Sequence, residues 1–271
     1  MTKQIFFKEI IDMNIQQYYQ QAANIRLNGS IVSAGMLSII FTVSLLLSWD
    51  IPFLVVAVPF LSVCFFQYNS YLLYRNRSEE SKESISLYDE KNLLSQNHLM
   101  IAFAPAPAIR LLFFTPDGML AGELKEIEIK LWRWIIPYFI DKRMAKQLGI
   151  YDAHGQLIGR LLSDPKKTKL VNDKGEIDGF FYPQKKSGTA IVEGGKKLKL
   201  EGSKGLSSDL FFMNANGREA FKLQKGWMPL EWSQFFIDAN TPVLTFDYSL
   251  STSERLAVFA AVAHYYEYYN H

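Results

Sequence analysis

The sequence predicts an α+β, mainly β protein, in which an N-terminal transmembrane helical hairpin precedes an antiparallel β-barrel that encloses an apolar C-terminal helix. Three observations predict this class. Residues 30–67 contain one acid, Asp50, and no base, although 21% of the 271 residues are charged. From His98 onward, short β-branched and aromatic runs alternate with turns that contain glycine. The chain then closes with a helix that has no polar face.

The apolar N-terminal region contains two segments, residues 30–49 and residues 51–66 with an apolar continuation through Tyr71, Leu72 and Leu73. Each is long enough to cross a bilayer core of roughly 30 Å. The short connection between them holds Asp50 and Pro52, which are typical of a helix start. Basic residues flank the pair at Arg26, Arg75, Arg77 and Lys82. Because the connection has no base, we expect both termini and the soluble domain to be cytoplasmic. The alternative is a buried core hairpin of a soluble protein.

The segments around the hairpin complete a four-part organisation. Residues 1–28 show apolar residues at helical spacing and predict an amphipathic helix, which lies on the inner leaflet or packs on the soluble domain. Residues 29–74 form the transmembrane hairpin, residues 75–97 a polar juxtamembrane helix or stalk, and residues 98–271 the barrel. Small residues recur at every fourth position of the first span and favour close helix packing: Ser30, Ala34, Ser38 and Thr42. The alternative is a chance pattern, because serine is common throughout this span.

The turns of the soluble domain repeat one local pattern. Asp152, Asn172 and Asn214 are each followed three residues later by glycine. The Asx side chain can accept hydrogen bonds from the turn backbone, and glycine adopts positive φ without steric cost. Turns of this kind recur about every twenty residues, which predicts an antiparallel meander that closes on itself to avoid free edges.

The C-terminal segment begins with a capping box from Ser251 to Glu254 and continues as a helix. Its uncharged stretch, residues 256–263, is too short to cross a bilayer. A helix without a polar face must be surrounded, so we expect strands to enclose it.

Turns of this pattern, with residues 151–159 as the best example, together with the apolar terminal helix resemble the tubby C-terminal-like superfamily, which includes phospholipid scramblases and LURP-one-related proteins. The resemblance covers about residues 98–271. It implies a twelve-stranded barrel around a central helix, and binding of phosphoinositides or other anionic lipids. This chain differs by its two-span anchor and by the lack of a calcium-ligand run, which argues against calcium-triggered lipid flipping.

Positive charge in the soluble part concentrates in residues 160–204, which contain 11 basic and 6 acidic residues. In a meander, alternate connections meet at one end of the barrel. Five lysines of this window then crowd one rim, and we predict them as the anionic-lipid site: Lys166, Lys167, Lys185, Lys186 and Lys204. The alternative is that they are solvated loop lysines that serve solubility.

No pattern in the sequence indicates catalysis. The four histidines are scattered and form no metal-binding pair, and the single Cys64 excludes an internal disulfide. No phosphate-binding loop, dinucleotide fingerprint or nucleophile elbow occurs. We therefore expect no enzyme activity and no cofactor. Nucleic acid is also a poor partner, because no arginine-rich stripe accompanies the lysines.

These observations predict a membrane-anchored, non-enzymatic protein whose cytoplasmic barrel binds anionic phospholipid or a membrane-associated protein. Two alternatives remain open. One is a scramblase-like phospholipid transporter assembled from several hairpins. The other is a protein-binding sensor or immunity factor that recognises another membrane protein.

Overall fold

The computed structural model describes residues 13–48, 52–81, 92–104, 106, 108–128, 144–184, 187–202, 209–214 and 217–268. The chain divides into two compact units. One unit consists of residues 15–83. The other combines residues 1–14 with residues 84–271.

The first unit is a pair of long helices, α1 (Ile15–Leu46) and α2 (Phe53–Glu80). Both are long and apolar enough to cross a membrane. Only 11% and 6% of their most apolar 18-residue windows are buried. Their apolar side chains are therefore exposed within this unit, unlike those of a core helix in a soluble protein.

Polar side chains join α1 and α2 along their length. The Ser30 hydroxyl donates to the carbonyl oxygen of Cys64 at 3.1 Å, and the Ser33 hydroxyl donates to that of Phe60 at 2.9 Å. Nearer the other end, Gln16 Nε2 donates to the Ser78 carbonyl at 3.1 Å. Residues early in α1 thus face residues late in α2, so the two helices form an antiparallel hairpin.

The predicted small-residue stripe is wrong beyond its first member. Ser30 is buried between the helices, but Ala34, Ser38 and Thr42 are exposed. The Ser38 and Thr42 hydroxyls bond carbonyl oxygens four residues earlier on their own helix. Because the two helices contact each other through Ser30 and Ser33, a four-residue spacing leaves the contact face after one turn.

Both helices continue beyond the predicted hairpin. Residues 15–28, predicted as part of an amphipathic helix, belong to the same uninterrupted helix as the first span, and residues 75–80, predicted as a juxtamembrane helix or stalk, continue α2. Leu93, in the same predicted segment, is fully buried in the core of the barrel unit. Residues 15–28 and 75–80 are more polar than the apolar spans, but they are continuous with the helices that contain those spans. Residues 1–12 and 82–91 lie outside the described residues.

The second unit contains a closed barrel of twelve strands. Each strand pairs antiparallel with its neighbours in sequence, and β1 pairs with β12 to close the ring. The predicted meander is therefore confirmed. The strands are β1 (His98–Phe103), β2 (Arg110–Phe114), β3 (Leu120–Glu126), β4 (Lys146–Asp152), β5 (Leu157–Ser163), β6 (Thr168–Asn172), β7 (Ile177–Gln184), β8 (Ser187–Val192), β9 (Lys197–Gly202), β10 (Leu210–Asn214), β11 (Glu219–Gln224) and β12 (Val243–Phe246).

The repeated turns have the geometry that their sequence predicts. In the β4–β5 turn, the Gly155 N–H donates to the Asp152 carbonyl at 3.1 Å, and Asp152 Oδ1 accepts from the Gln156 N–H at 2.8 Å. Gly155 has φ +76°, and the strand register shifts by one residue beside the turn. This is a type I turn followed by a glycine bulge. The β6–β7 and β10–β11 turns repeat the pattern.

The C-terminal helix, α3 (Thr252–Tyr268), runs through the barrel and packs most closely against β6, β7 and β8. No side chain from residue 256 to residue 263 is more than 2% exposed, so its predicted enclosure is confirmed. The rings of Phe259 and Phe113 pack edge to face, with 5.0 Å between their centres. Gly159 on β5 provides room, since a Cβ atom there would lie 2.8 Å from a methyl group of Leu256.

The chain N-terminal to α1 also belongs to the barrel unit. The Met13 carbonyl accepts a hydrogen bond from the Leu120 N–H at 3.0 Å, and Asn14 forms a β-bridge with Met119. Residues 13–14 therefore add to the sheet where β3 begins. No amphipathic pattern could predict this, because the contact partner is more than a hundred residues away.

Candidate functional site

The meander gives the barrel two chemically different ends. The turns with Asx and glycine all lie at the end where even-numbered strands lead into odd-numbered ones, and we call this the turn end. The connections β1–β2, β3–β4, β5–β6, β7–β8, β9–β10 and β11–β12 join strands at the opposite end, which we call the return end. The capping box of α3 lies at the turn end, so α3 runs toward the return end.

Charge divides between the two ends. The sequences of the six connections at the return end contain 10 basic and 6 acidic residues. The connections at the turn end, including residues 247–251 after β12, contain 3 basic and 5 acidic residues. Among the described residues, the connections of each end contain 3 basic and 5 acidic residues, so the positive excess of the return-end connections belongs to sequence segments outside the described residues.

The structure describes two of the five predicted lysines. Lys166 is exposed and Lys167 is partly buried, and both lie in the β5–β6 connection at the return end. The Asp164 N–H donates to the Lys167 carbonyl at 2.8 Å, which closes this turn. Lys167 Nζ lies 5.9 Å from the centre of the Phe180 ring. Lys185, Lys186 and Lys204 lie outside the described residues.

The β11–β12 connection supplies exposed apolar side chains that the sequence reasoning missed. Trp227, three residues beyond the end of β11, is 68% exposed, and Leu230 is 87% exposed. Leu230 begins a short 3-10 helix, Leu230–Gln234. The positions of the tryptophans in the sequence could have indicated this connection. In the sequence, all four tryptophans outside the apolar hairpin region fall between β3 and β4 or between β11 and β12, at Trp132, Trp134, Trp227 and Trp232.

The rest of the β11–β12 connection is anchored on the barrel. The Trp232 ring lies 5.5 Å from that of His98, and the buried Phe236 ring lies 6.3 Å from that of Phe114. The Ser233 hydroxyl donates to the Leu230 carbonyl at 2.6 Å. The segment is therefore held in place, and its packing leaves Trp227 and Leu230 in solvent.

The mouth of the barrel at the return end is closed by charged and aromatic groups. Lys146 at the start of β4 pairs with Glu267 near the end of α3, and both are buried. Lys225 Nζ lies 6.0 Å from the centre of the Tyr266 ring. Burial lowers the pKa of Lys225, because desolvation disfavours the charged ammonium. Burial likewise raises the pKa of the Tyr266 hydroxyl.

A cleft of about 390 Å³ lies at the turn end, beside the start of α3. Lys196 Nζ lies 3.7 Å from Glu254 Oε1 at its edge, and Asp247 and Glu219 also line it. Opposite charges in this cleft stand close to one another, and Glu254 is occupied in the capping box through the Ser251 N–H at 2.8 Å. Lys197 also lines the cleft, so two bases and three acids surround it.

The histidines of the described chain serve packing and turns. His98 lies against Trp232, with Nδ1 3.3 Å from the Thr245 hydroxyl oxygen. His154 lies in the β4–β5 turn, and His264 lies on α3 with its ring 6.1 Å from that of Phe181. Among the residues described, no group of three or more histidine, cysteine or acidic side chains could hold a metal ion.

Comparison with known proteins adds no family to this description. No protein-family model matches the chain, and no curated protein matches it significantly. The candidate site therefore rests on the barrel itself: the return end, where Lys166, Lys167, Trp227 and Leu230 lie in connections between strands.

Proposed function

We propose that this protein is a membrane-anchored, non-enzymatic module whose cytoplasmic barrel binds anionic phospholipid. In this proposal α1 and α2 span the bilayer, with both termini on the cytoplasmic side. The barrel is a tubby C-terminal-like domain, and its return end, which carries the predicted lysines, faces the lipid headgroups.

One observation carries the proposal: in the sequence, the connections of the return end contain 10 basic and 6 acidic residues, and those of the turn end contain 3 and 5. Seven of the ten bases, Lys185, Lys186 and Lys204 among them, lie outside the described residues. Lysines near an anionic leaflet contribute about 1 kcal/mol each. The opposite charge balance at the turn end would orient the barrel, because an anionic surface attracts one end and repels the other.

Two further features support the proposal. The chain contains two helices that are long and apolar enough to cross a membrane, so an attached barrel would remain at high local concentration near lipid. A twelve-stranded closed barrel with a helix inside is also the architecture that the tubby-like resemblance implies.

Lysine acylation of the full-length protein in nanodiscs tests the proposal. An amine-reactive acetyl ester modifies exposed lysines, and mass spectrometry gives the rate at each position. We expect slower acylation of Lys166, Lys185, Lys186 and Lys204 when phosphatidylglycerol is added to phosphatidylcholine. High salt should restore the faster rates, because mobile ions screen exposed charges.

The chain contains its own controls for this experiment. Lys174 and Lys196 lie in turn-end connections and are exposed, so their acylation should not respond to lipid charge. The buried Lys146 should remain protected throughout and reports that the barrel is folded. Equal acylation of the return-end lysines in both lipid mixtures, in folded protein, would overturn the proposal and favour a protein partner.

A further inference from the structure

We propose that the outer face of strands β6–β9 is a docking surface for an acidic segment of another protein. This surface lies on the side of the barrel and is formed mainly by the strands themselves. It is therefore a separate interaction from the lipid contact proposed for the return end, and it adds a protein partner to the function of the barrel.

Alternation along the strands defines which side chains make up this surface. Each strand places alternate residues in the barrel core, among them Leu170, Phe181, Ala190 and Leu198. Their neighbours in sequence therefore point outward. The strand register aligns these outward residues in two rows, which are Lys169, Phe180, Ile191 and Lys197 in one and Tyr182, Thr189 and Lys199 in the other. We call these residues, together with Lys167, the strand face.

The strand face carries an excess of positive charge. It contains four lysines, and the acid that borders it, Glu201, pairs with Lys199 at 2.8 Å. Both side chains of this pair are exposed, so the pair itself contributes little stability and a carboxylate of a partner can compete with Glu201. Asp178 on β7 instead accepts a hydrogen bond from the Ser253 hydroxyl at the start of α3.

The opposite side of the barrel shows a different treatment of bases. Arg110 on β2 and Lys125 on β3 both pair with Glu123, which is only 2% exposed. Their charge is therefore compensated by a buried carboxylate. On the strand face, Lys197 and Lys199 are exposed to solvent. Charge complementarity therefore favours an acidic partner for the strand face.

Apolar side chains lie between the lysines of the strand face. The centres of the Phe180 and Tyr182 rings are 6.3 Å apart, and Tyr182 is 39% exposed. Ile191, which pairs with Phe180 across β7 and β8, is partly exposed. Exposed tyrosine is one of the side chains that contribute most to protein interfaces. An acidic segment that also carries apolar side chains would match both features of the strand face.

Two observations favour a protein segment over nucleic acid or lipid. Lys167 Nζ lies over the Phe180 ring, 5.9 Å from its centre, where a nucleic-acid base would have to stack. Asn14, the last residue before α1, forms a β-bridge with Met119 beside β3, and β3 lies opposite β9 in the ring of twelve strands. The chain therefore enters its first apolar helix across the barrel from the strand face, which favours a partner in solution over the bilayer.

Peptide display on the full-length protein tests the inference. The protein is held in nanodiscs of phosphatidylcholine, and phage that display random peptides are selected on it. We expect enrichment of peptides that combine aspartate or glutamate with aromatic or aliphatic residues. Fluorescence anisotropy of a synthetic enriched peptide then measures its affinity for the wild type and for each variant.

Substitutions on the strand face should weaken the enriched peptide. Lys169→Glu combined with Lys199→Glu should reduce its affinity at least about tenfold, because like charges then meet. Tyr182→Ser should reduce it about fivefold. Lys174→Glu combined with Arg218→Glu changes the net charge by the same amount at exposed turn-end positions, and should change the affinity less than about twofold at physiological salt. Protection of the buried Lys146 from acylation reports that each variant is folded.

Other outcomes overturn the inference. Selection on folded protein that enriches no acidic peptides removes the charge match. Equal losses of affinity in the two double variants mean that the peptide responds to net charge and not to the strand face. Binding of oligouridylate or of phosphatidylglycerol vesicles that requires Lys169 and Lys199, without enrichment of acidic peptides, assigns the strand face to nucleic acid or lipid instead.

Discussion

At the residue scale, His264 couples the stability of the barrel to pH. Its burial on α3 lowers its pKa to about 4, because desolvation disfavours the imidazolium. An unfolded histidine has a pKa near 6.5. Between these values the unfolded chain binds a proton that the folded chain does not, so the free energy of unfolding falls as pH falls from about 6.5 toward 4.

We expect this group to cost about 2 kcal/mol of stability between pH 7 and pH 5. Urea unfolding of the detergent-solubilised protein at both pH values measures the loss. His264→Gln should flatten the pH dependence, whereas His154→Gln, in an exposed turn, should leave it unchanged. An identical pH dependence in the wild type and in His264→Gln would contradict this assignment.

Glu123 is a second residue whose burial has a measurable consequence. Arg110 and Lys125 lie directly opposite each other on β2 and β3, which would be unfavourable for two bases alone. Glu123 pairs with both and is only 2% exposed. Its carboxylate therefore makes the register between β2 and β3 favourable.

Glu123→Gln should lower the free energy of unfolding by about 2–3 kcal/mol, because two partly buried bases lose their counter-charge. The Lys199–Glu201 pair offers a control with the same two-residue spacing on one strand, but it is exposed. Glu201→Gln should cost less than about 0.5 kcal/mol. Equal losses in urea unfolding of the two variants would mean that burial does not strengthen the Glu123 pairs.

At the element scale, α3 depends on its first turn. Ser251 Oγ accepts from the Glu254 N–H at 3.4 Å, and Glu254 Oε2 accepts from the Ser251 N–H at 2.8 Å. The predicted capping box is thus confirmed. Because Glu254 and the following residues are buried, water cannot easily replace these hydrogen bonds.

Ser251→Ala should therefore destabilise the barrel by about 1–2 kcal/mol, at the upper part of the range for N-cap residues. Ser251→Asn, which preserves a capping oxygen, should restore most of the loss. Thermal unfolding of the two variants provides the measurement. A Ser251→Ala protein as stable as the wild type would show that the cap contributes nothing to α3.

At the scale of the whole molecule, the proposed topology places the loop between α1 and α2 outside the cell. In a Cys64→Ala background, Ser48→Cys should react with an impermeant maleimide in intact cells, because Ser48 lies two residues beyond the end of α1. Tyr248→Cys, on the barrel, should react only after lysis. Labelling of Tyr248→Cys in intact cells would reverse the orientation.

The barrel and the helices also differ in how far each could be predicted from the sequence. Hairpin turns were predictable because Asp152 and Gly155 act within one turn, and the geometry of that turn depends on few other residues. The enclosed helix was predictable because residues 256–263 offer no polar face to solvent. The contact face of α1 was not predictable from the spacing of Ser30, Ala34, Ser38 and Thr42, because helix contact depends on the partner helix as well as on spacing.

The candidate site was predictable only in part. Lysine density in residues 160–204 is a property of the sequence, and the meander implied that alternate connections meet. The exposure of Trp227 and Leu230 could not be inferred, because Trp232 and Phe236 in the same connection are anchored on His98 and Phe114. Which aromatic residues are covered depends on strands more than a hundred residues away.

The amino-acid sequence by itself therefore determined the local features of this protein: two membrane-length apolar helices, Asx and glycine turns, a capped apolar helix and a lysine-rich window. Tertiary structure alone decided the closure of β1 on β12, the Lys146–Glu267 pair and the exposure of Trp227 and Leu230. The physical reason is range. Periodicity, capping and turn chemistry act over a few residues, whereas strand pairing and burial join residues far apart in the chain.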